Sequence, residues 1–160
     1  MLVLLALAHA DKLQDGWRGR AYGDPSSIAE APGADCDPNP EKDVRWRCRE
    51  TVGPTPIVVA YMVSEDLFSS VMISANGYAD CSALFGALSV AWGKFTPNEH
   101  ASGSLPDGYW NLMRYKTEVI GSWDYNQFSG KCTAAALSGR LQTIIESRRA
   151  EKAKAAAEAL

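Results

Sequence analysis

Arg45, Arg47 and Arg49 stand at alternate positions in the run DVRWRCR, with Arg18 and Arg20 earlier in the chain. Guanidinium groups spaced by two on one strand face form a row that can grip a carboxylate, a phosphate or an acidic partner surface. A plainer account competes with that one. A half-buried strand needs polar residues on its solvent side, and Asp43, Glu50 and Glu118 could balance the charge across a sheet. The five tryptophans raise the same choice. Trp, Tyr and Arg dominate interface hot spots, yet large aromatics equally fill cores. Arg45, Arg47, Arg49 and Trp110 are therefore the candidate binding residues.

Other polar groups carry less chemistry. Asp35, Asp37, Asn39, Glu41 and Asp43 recur at every second position like the start of a calcium loop. The sixth and twelfth positions, which need Gly and Glu, hold Pro40 and Trp46, so a solvated acidic loop is expected. His100 sits in a polar loop with Glu99, Ser102 and Ser104, but no nucleophile-elbow pattern accompanies it. Asp80 reads as a helix cap, and nothing in the sequence makes it converge with Asp124. Neither G-x-G-x-x-G nor a Walker loop is present. No catalytic residue, metal site or cofactor is assigned.

Four cysteines, Cys36, Cys48, Cys81 and Cys132, form an even set without a C-x-x-C pair, which favours disulfides over zinc. Of three pairings, Cys36–Cys48 would pin a Pro-rich loop to a strand, and Cys81–Cys132 would tie a central helix to a late strand. Chain entropy makes these worth about 3 and about 4 kcal/mol. Met1–Leu7 is apolar and Ala8-His9-Ala10 is a small-x-small pattern, so residues 1–10 read as a signal peptide, although no Lys or Arg precedes the apolar run. With disulfides, this implies a periplasmic or secreted protein. No later stretch approaches about 18 uninterrupted apolar residues, so no membrane span is expected. The net charge of −3 over 160 residues argues against nucleic-acid binding, which wants a basic stripe.

The elements that would position these groups follow from periodicity. Asp15–Gly23 reads as a short strand and Asp24-Pro25 as a helix start, with Ile28–Ala31 as a turn or two. Gly33–Glu41 reads as a loop. Asp43–Arg49, Pro56–Val63 and Leu67–Ala75 give a three-stranded meander. Cys81, Leu84, Phe85, Leu88, Ala91 and Trp92 recur at the helical period, with Gly93 closing the helix. Burial of its four large residues is worth roughly 2 kcal/mol each. Tyr109–Arg114, Glu118–Asn126 and Lys131–Ala136 are three more strands. A terminal helix starts at Leu137, with Leu137, Leu141, Ile144 and Ile145 as its stripe. Residues 11–146 form one domain, and 147–160 a charged Ala-rich helical tail. The predicted class is α+β: an antiparallel sheet from two helix-plus-three-strand halves, helices on one face, and a C-terminal helix.

Gly23-Asp24-Pro25-Ser26, the Trp92-Gly93 helix end, and Trp110 followed by Ile120-Gly121-Ser122-Trp123-Asp124-Tyr125 resemble small bacterial envelope domains of the helix-plus-three-strand type. Examples of that type are the small lipoprotein of the outer-membrane assembly machine and the tandem-repeat β-lactamase inhibitor protein. The resemblance spans most of residues 15–137. The chain departs from it in lacking a lipobox cysteine and in carrying four cysteines, and no functional residue is carried over. It implies a protein-binding or envelope role rather than catalysis. The expected function is thus an exported, non-enzymatic domain binding a protein partner or serving a structural role. The alternatives are a small-ligand carrier with a sheet–helix pocket near Phe85, Trp110 and Tyr125, and a hydrolase using His100.

Overall fold

A computed structural model describes residues 16–24, 28–39, 43–114 and 117–159. The leader-like residues 1–10, Pro25 and Glu41 lie outside the described residues. The described elements are β1 (Gly16–Trp17), β2 (Arg20–Ala21), β3 (Cys36–Pro38), β4 (Val44–Val52), β5 (Thr55–Ser64) and β6 (Leu67–Asn76), then α1 (Tyr78–Trp92) and β7 (Phe95–Pro97). They continue with β8 (Gly108–Arg114), β9 (Thr117–Asn126), β10 (Lys131–Ser138) and α2 (Gly139–Glu158).

The class is α+β with a C-terminal helix, but the expectation of two halves is corrected. One continuous antiparallel sheet of eight strands runs β3-β4-β5-β6-β10-β9-β8-β7. Each meander ends on a strand with an open edge, and β6 pairs with β10 from Lys131↔Asn76 to Leu137↔Ser70. That pairing satisfies backbone groups that separate halves would leave unpaired. Two short strands escaped the sequence pattern, β3 inside the expected loop and β7 before the polar loop. Both end on a proline, Pro38 and Pro97, at the sheet edges, where a missing N–H is tolerated.

The first strand is also corrected. Arg18 (φ 50°) and Gly19 (φ 81°) turn the chain, so Trp17 pairs with Arg20 in a two-stranded hairpin. The expected helix at Ile28–Ala31 does not extend; the chain bends from Ala29 onward while Ile28 is buried. The central helix is preceded by Gly77 (φ 87°) with no side-chain cap. Asp80 lies in its first turn, where a carboxylate suits the helix dipole. Gly93 (φ 89°) closes it, donating its N–H to the Ser89 carbonyl.

Register explains where the core sits. Trp46, Tyr61, Val71, Ala136, Gly121, Trp110 and Phe95 follow one another across the sheet as direct pairs, and Cys48, Val59, Ile73, Ala134 and Trp123 form a second row. Large side chains lie toward both ends of these rows and small ones near the middle. The small residues make a trough for α1, whose Cys81, Leu84, Leu88 and Trp92 are buried in the same core. Trp17 and Ile28 cover the β4–β5 side, with the Trp46 indole N–H donating to the Ile28 carbonyl at 2.8 Å. Arg18 fastens this cover by an ion pair to Glu50 at 2.9 Å and a hydrogen bond to the Thr51 carbonyl. Burial and the hydrogen bond to Glu50 hold the Tyr61 phenol above its ordinary range.

Gly121 is the tightest point of the trough. A Cβ there would stand 2.8 Å from the Trp92 ring and 3.4 Å from Trp110. Gly121→Ala is expected to lower the unfolding free energy by about 1–3 kcal/mol, the cost of overpacking, with little change at the neighbouring exposed position in Ser122→Ala. Urea denaturation of both variants checks this.

Leu141 and Ile145 bury the start of α2 against Leu67 and Tyr22, whereas Ile144 is exposed. Further along, the β5–β6 turn captures the helix. Glu65 pairs with Lys152 at 2.5 Å and Arg149 at 3.5 Å, and Arg148 donates to the Glu65 carbonyl at 3.1 Å. The Lys152 hydrogen bond, offset in part by burial, holds the Glu65 carboxyl below its usual 4.5. A depressed carboxylate pKa contributes attachment that is present above the ordinary value and lost as pH falls through the depressed one. Amide protection around Arg149–Lys152, measured as exchange relative to the intrinsic rate, should therefore fall as the pH drops through the lowered Glu65 value, and Glu65→Gln should show the reduced protection already at pH 7. Unchanged exchange in that variant would contradict the clamp.

Candidate functional site

The alternation that aims Arg45, Arg47 and Arg49 away from the core is set by the buried Val44 and Cys48 and the half-buried Trp46 between them. All three arginines are exposed. They occupy the basic side of the outer sheet face. Arg49 is followed across the sheet by Val58, Ser74, Thr133 and Asp124, and Arg47 by Ala60, Met72, Ala135, Ser122 and Tyr109. With strands about 4.8 Å apart, a floor of mostly small side chains separates a basic side on β4 from Asp124 and Tyr109 on the other. Val58, Met62 and Met72 on this face are half-exposed, while their inward neighbours Val59, Tyr61 and Val71 are buried.

The expected balance for the arginines is drawn differently. Glu50 faces inward to Arg18, and Arg49 instead pairs with Asp35 at 2.6 Å and Asp37 at 3.5 Å. The acidic loop thus serves the arginine row. Its connection is held by Cys36–Cys48, directly opposite in register (Cα–Cα 4.0 Å), and by the Arg49 N–H donating to the Asp35 carbonyl at 2.9 Å. Among the described residues Arg45 has no ion pair.

Trp110 is not on this face. Its side chain is fully buried, 4.8 Å from the Phe95 ring and 5.2 Å from Trp92, with Phe85 and Trp123 completing the block. The alternation placed it correctly opposite Tyr109 but could not say which side was covered; α1 covers the Trp110 side. The same block fills the space between sheet and helix in which a ligand pocket had been expected.

A cleft lies instead beyond the end of the sheet. It has a volume of about 570 Å³ and is lined by Tyr78, by the loop from His100 to Asp107, and by Asp124–Phe128. Three segments remote in sequence are tied together there. The Tyr78 hydroxyl donates to Ser104 Oγ at 2.7 Å, the Tyr125 N–H donates to Asp107 Oδ1 at 2.9 Å, and the Asn98 N–H donates to the Asp107 carbonyl at 2.8 Å. Asn126 Oδ1 accepts from Phe128 and Ser129, fixing the turn that carries Phe128. His100 shares the cleft with Ser102, Ser104, Asp107 and Asp124, yet among the described residues no hydrogen bond joins it to any of them. A relay of nucleophile, base and orienting acid is not assembled. The sequence marked the 98–108 loop as polar; that Asp124 and Phe128 meet it follows from the β8–β9 register, which no local signal carries.

Comparison of the chain with family models, curated proteins and solved structures finds no match.

Cys81–Cys132 (Cα–Cα 5.8 Å) joins the first turn of α1 to the start of β10. The Gly77 N–H donates to the Gly130 carbonyl at 2.8 Å beside it. Replacing both cysteines by alanine is expected to cost about 2–5 kcal/mol and to speed amide exchange at Gly77 and Gly130 more than at β5. Chemical denaturation and residue-resolved exchange check the two parts separately.

Proposed function

We propose that this chain is an exported, non-enzymatic binding domain that engages a protein partner through the outer face of its sheet. The observation that carries this reading is the exposed row of Arg45, Arg47 and Arg49 set beside half-exposed Val58, Met62 and Met72. Arginine forks at the border of a floor of apolar and small polar side chains match the composition of interface centres and rims. The complementary surface would be acidic where it meets β4 and apolar over β5 and β6. Two disulfides support an oxidising compartment. No helix among the described residues is long and apolar enough to cross a membrane. The envelope setting rests on the sequence resemblance and the leader-like residues 1–10.

The test is photo-crosslinking in the cells that make the protein, with the reactive group placed at Ser70 or Ser74 on the outer face and at Val90, which is exposed on α1. A discrete adduct is expected from the face and not from Val90. The triple variant R45E/R47E/R49E should abolish that adduct while leaving the far-ultraviolet circular dichroism unchanged. An adduct that survives charge reversal, or none from either face position, would refute the assignment.

A further inference from the structure

The end cleft is unexplained by docking on the sheet face. Its walls are preformed, since every segment that lines it is hydrogen-bonded to another or pinned within itself. Its volume of about 570 Å³ falls in the range of small-molecule sites. Its side chains have an unusual combination. Tyr78 is half exposed and stands edge-on to Tyr125, with ring centroids 6.2 Å apart. Phe128 is 93% exposed, although its turn is held by Asn126 and closed by the Gly130 N–H donating to the Asn126 carbonyl at 2.8 Å. A ring held in water on a fixed turn has no core to fill and gains most from a ligand that covers it.

The charge of the lining sets the ligand class. Asp107 and Asp124 both line the cleft, and no Lys or Arg does among the described residues; His100 is the remaining titratable group besides the two tyrosines. Two carboxylates in a concave site raise the local concentration of cations and repel anions. Aromatic faces attract the same ligands through their quadrupoles, most strongly quaternary ammonium groups. A neutral polyol would use the rings and amides but gain nothing from the carboxylate charge.

We infer that this cleft binds an organic cation, a compact ammonium group carried between the rings of Tyr78, Tyr125 and Phe128 with Asp124 and Asp107 as its counter-charge. The group would come from a free small amine or from a lysine side chain of a peptide. Its site lies at the end of the sheet and shares Asp124 with the outer face, four strands from Arg49, so charge reversal of the arginine row tests one assignment and Phe128→Ala the other.

The experiment is a nuclear magnetic resonance titration of the whole protein with choline, with its neutral isostere 3,3-dimethyl-1-butanol, and with Nα-acetyl-lysine methylamide. Choline should give saturable amide shifts confined to residues 77–81, 98–107 and 124–131, and the isostere should bind at least fivefold more weakly. Phe128→Ala should weaken choline binding by about fivefold, the scale of one cation–π contact. Asp124→Asn should weaken it by about threefold, the scale of one exposed charge pair. Both side chains are exposed, so neither change threatens folding. Stronger binding of the lysine derivative than of choline would keep the site and name a peptide as the source. Equal binding of the isostere, or no saturable shift with either cation, would overturn the inference. R45E/R47E/R49E should leave the titration unchanged.

Discussion

The pairing of β6 with β10 holds this protein together. Every other contact between neighbouring strands of the large sheet joins segments consecutive in the chain. Each such pair closes a short loop at modest entropic cost. The central pair instead brings Lys131 beside Asn76, and Leu137 beside Ser70. It merges two meanders into one surface, and α1 can lie only on the merged surface because it contacts strands from both sides of the seam. The Cys81–Cys132 bond sits at that seam, with Cys132 directly opposite Ala75. It removes from the unfolded chain many of the states that folding must otherwise exclude.

From the seam follows the placement of the core. The trough of Ala134, Ala136 and Gly121 admits α1, and α1 brings Phe85 and Trp92 onto Trp110 and Trp123. Among the described residues the four indole N–H groups of Trp17, Trp92, Trp110 and Trp123 are buried without a hydrogen-bond partner, and a buried N–H left unpaired costs about 1–3 kcal/mol. Ring burial and edge-to-face contacts have to outweigh that cost. Phe85, Trp92, Trp110 and Trp123 thus fill the space between this part of the sheet and α1.

Much of this was legible in the sequence. Alternation predicts strands over 43–49, 56–63 and 67–75, which are β4, β5 and β6 with longer ends; the helix closed by Trp92-Gly93 is present, and of three possible cysteine pairings the favoured set is the one formed. The run Ile120-Gly121-Ser122-Trp123 announced a strand. It did not announce why position 121 is glycine, since the ring that needs the space arrives from Trp92, on a different element. The same limit hid the single sheet. Polar alternation names the face of a strand but not its neighbour across a seam, and the β6–β10 register depends on pairs more than fifty residues apart. For Trp110 the sequence left a binding face and the core both open, and the cover of α1 decides for the core; the cleft went unseen because its walls come from three separate segments. The arginine row was legible because one strand carries all of it.

The sheet edges restrict how a partner can approach. At one end lies the three-residue β3 with its terminal Pro38, at the other the three-residue β7 with Pro97. Beyond β3, the outer rim of β4 is occupied by Asp35 and by the Arg18 side chain reaching the Thr51 carbonyl. Beyond β7, four residues of β8, Asn111–Arg114, extend past its pairing. A chain seeking to lengthen this sheet by strand addition would meet stubs ending in Pro38 and Pro97, which cannot donate, and would find an open segment only along Asn111–Arg114 of β8. Short edge strands closed by proline give a densely β-stranded protein some protection from its own polymerisation.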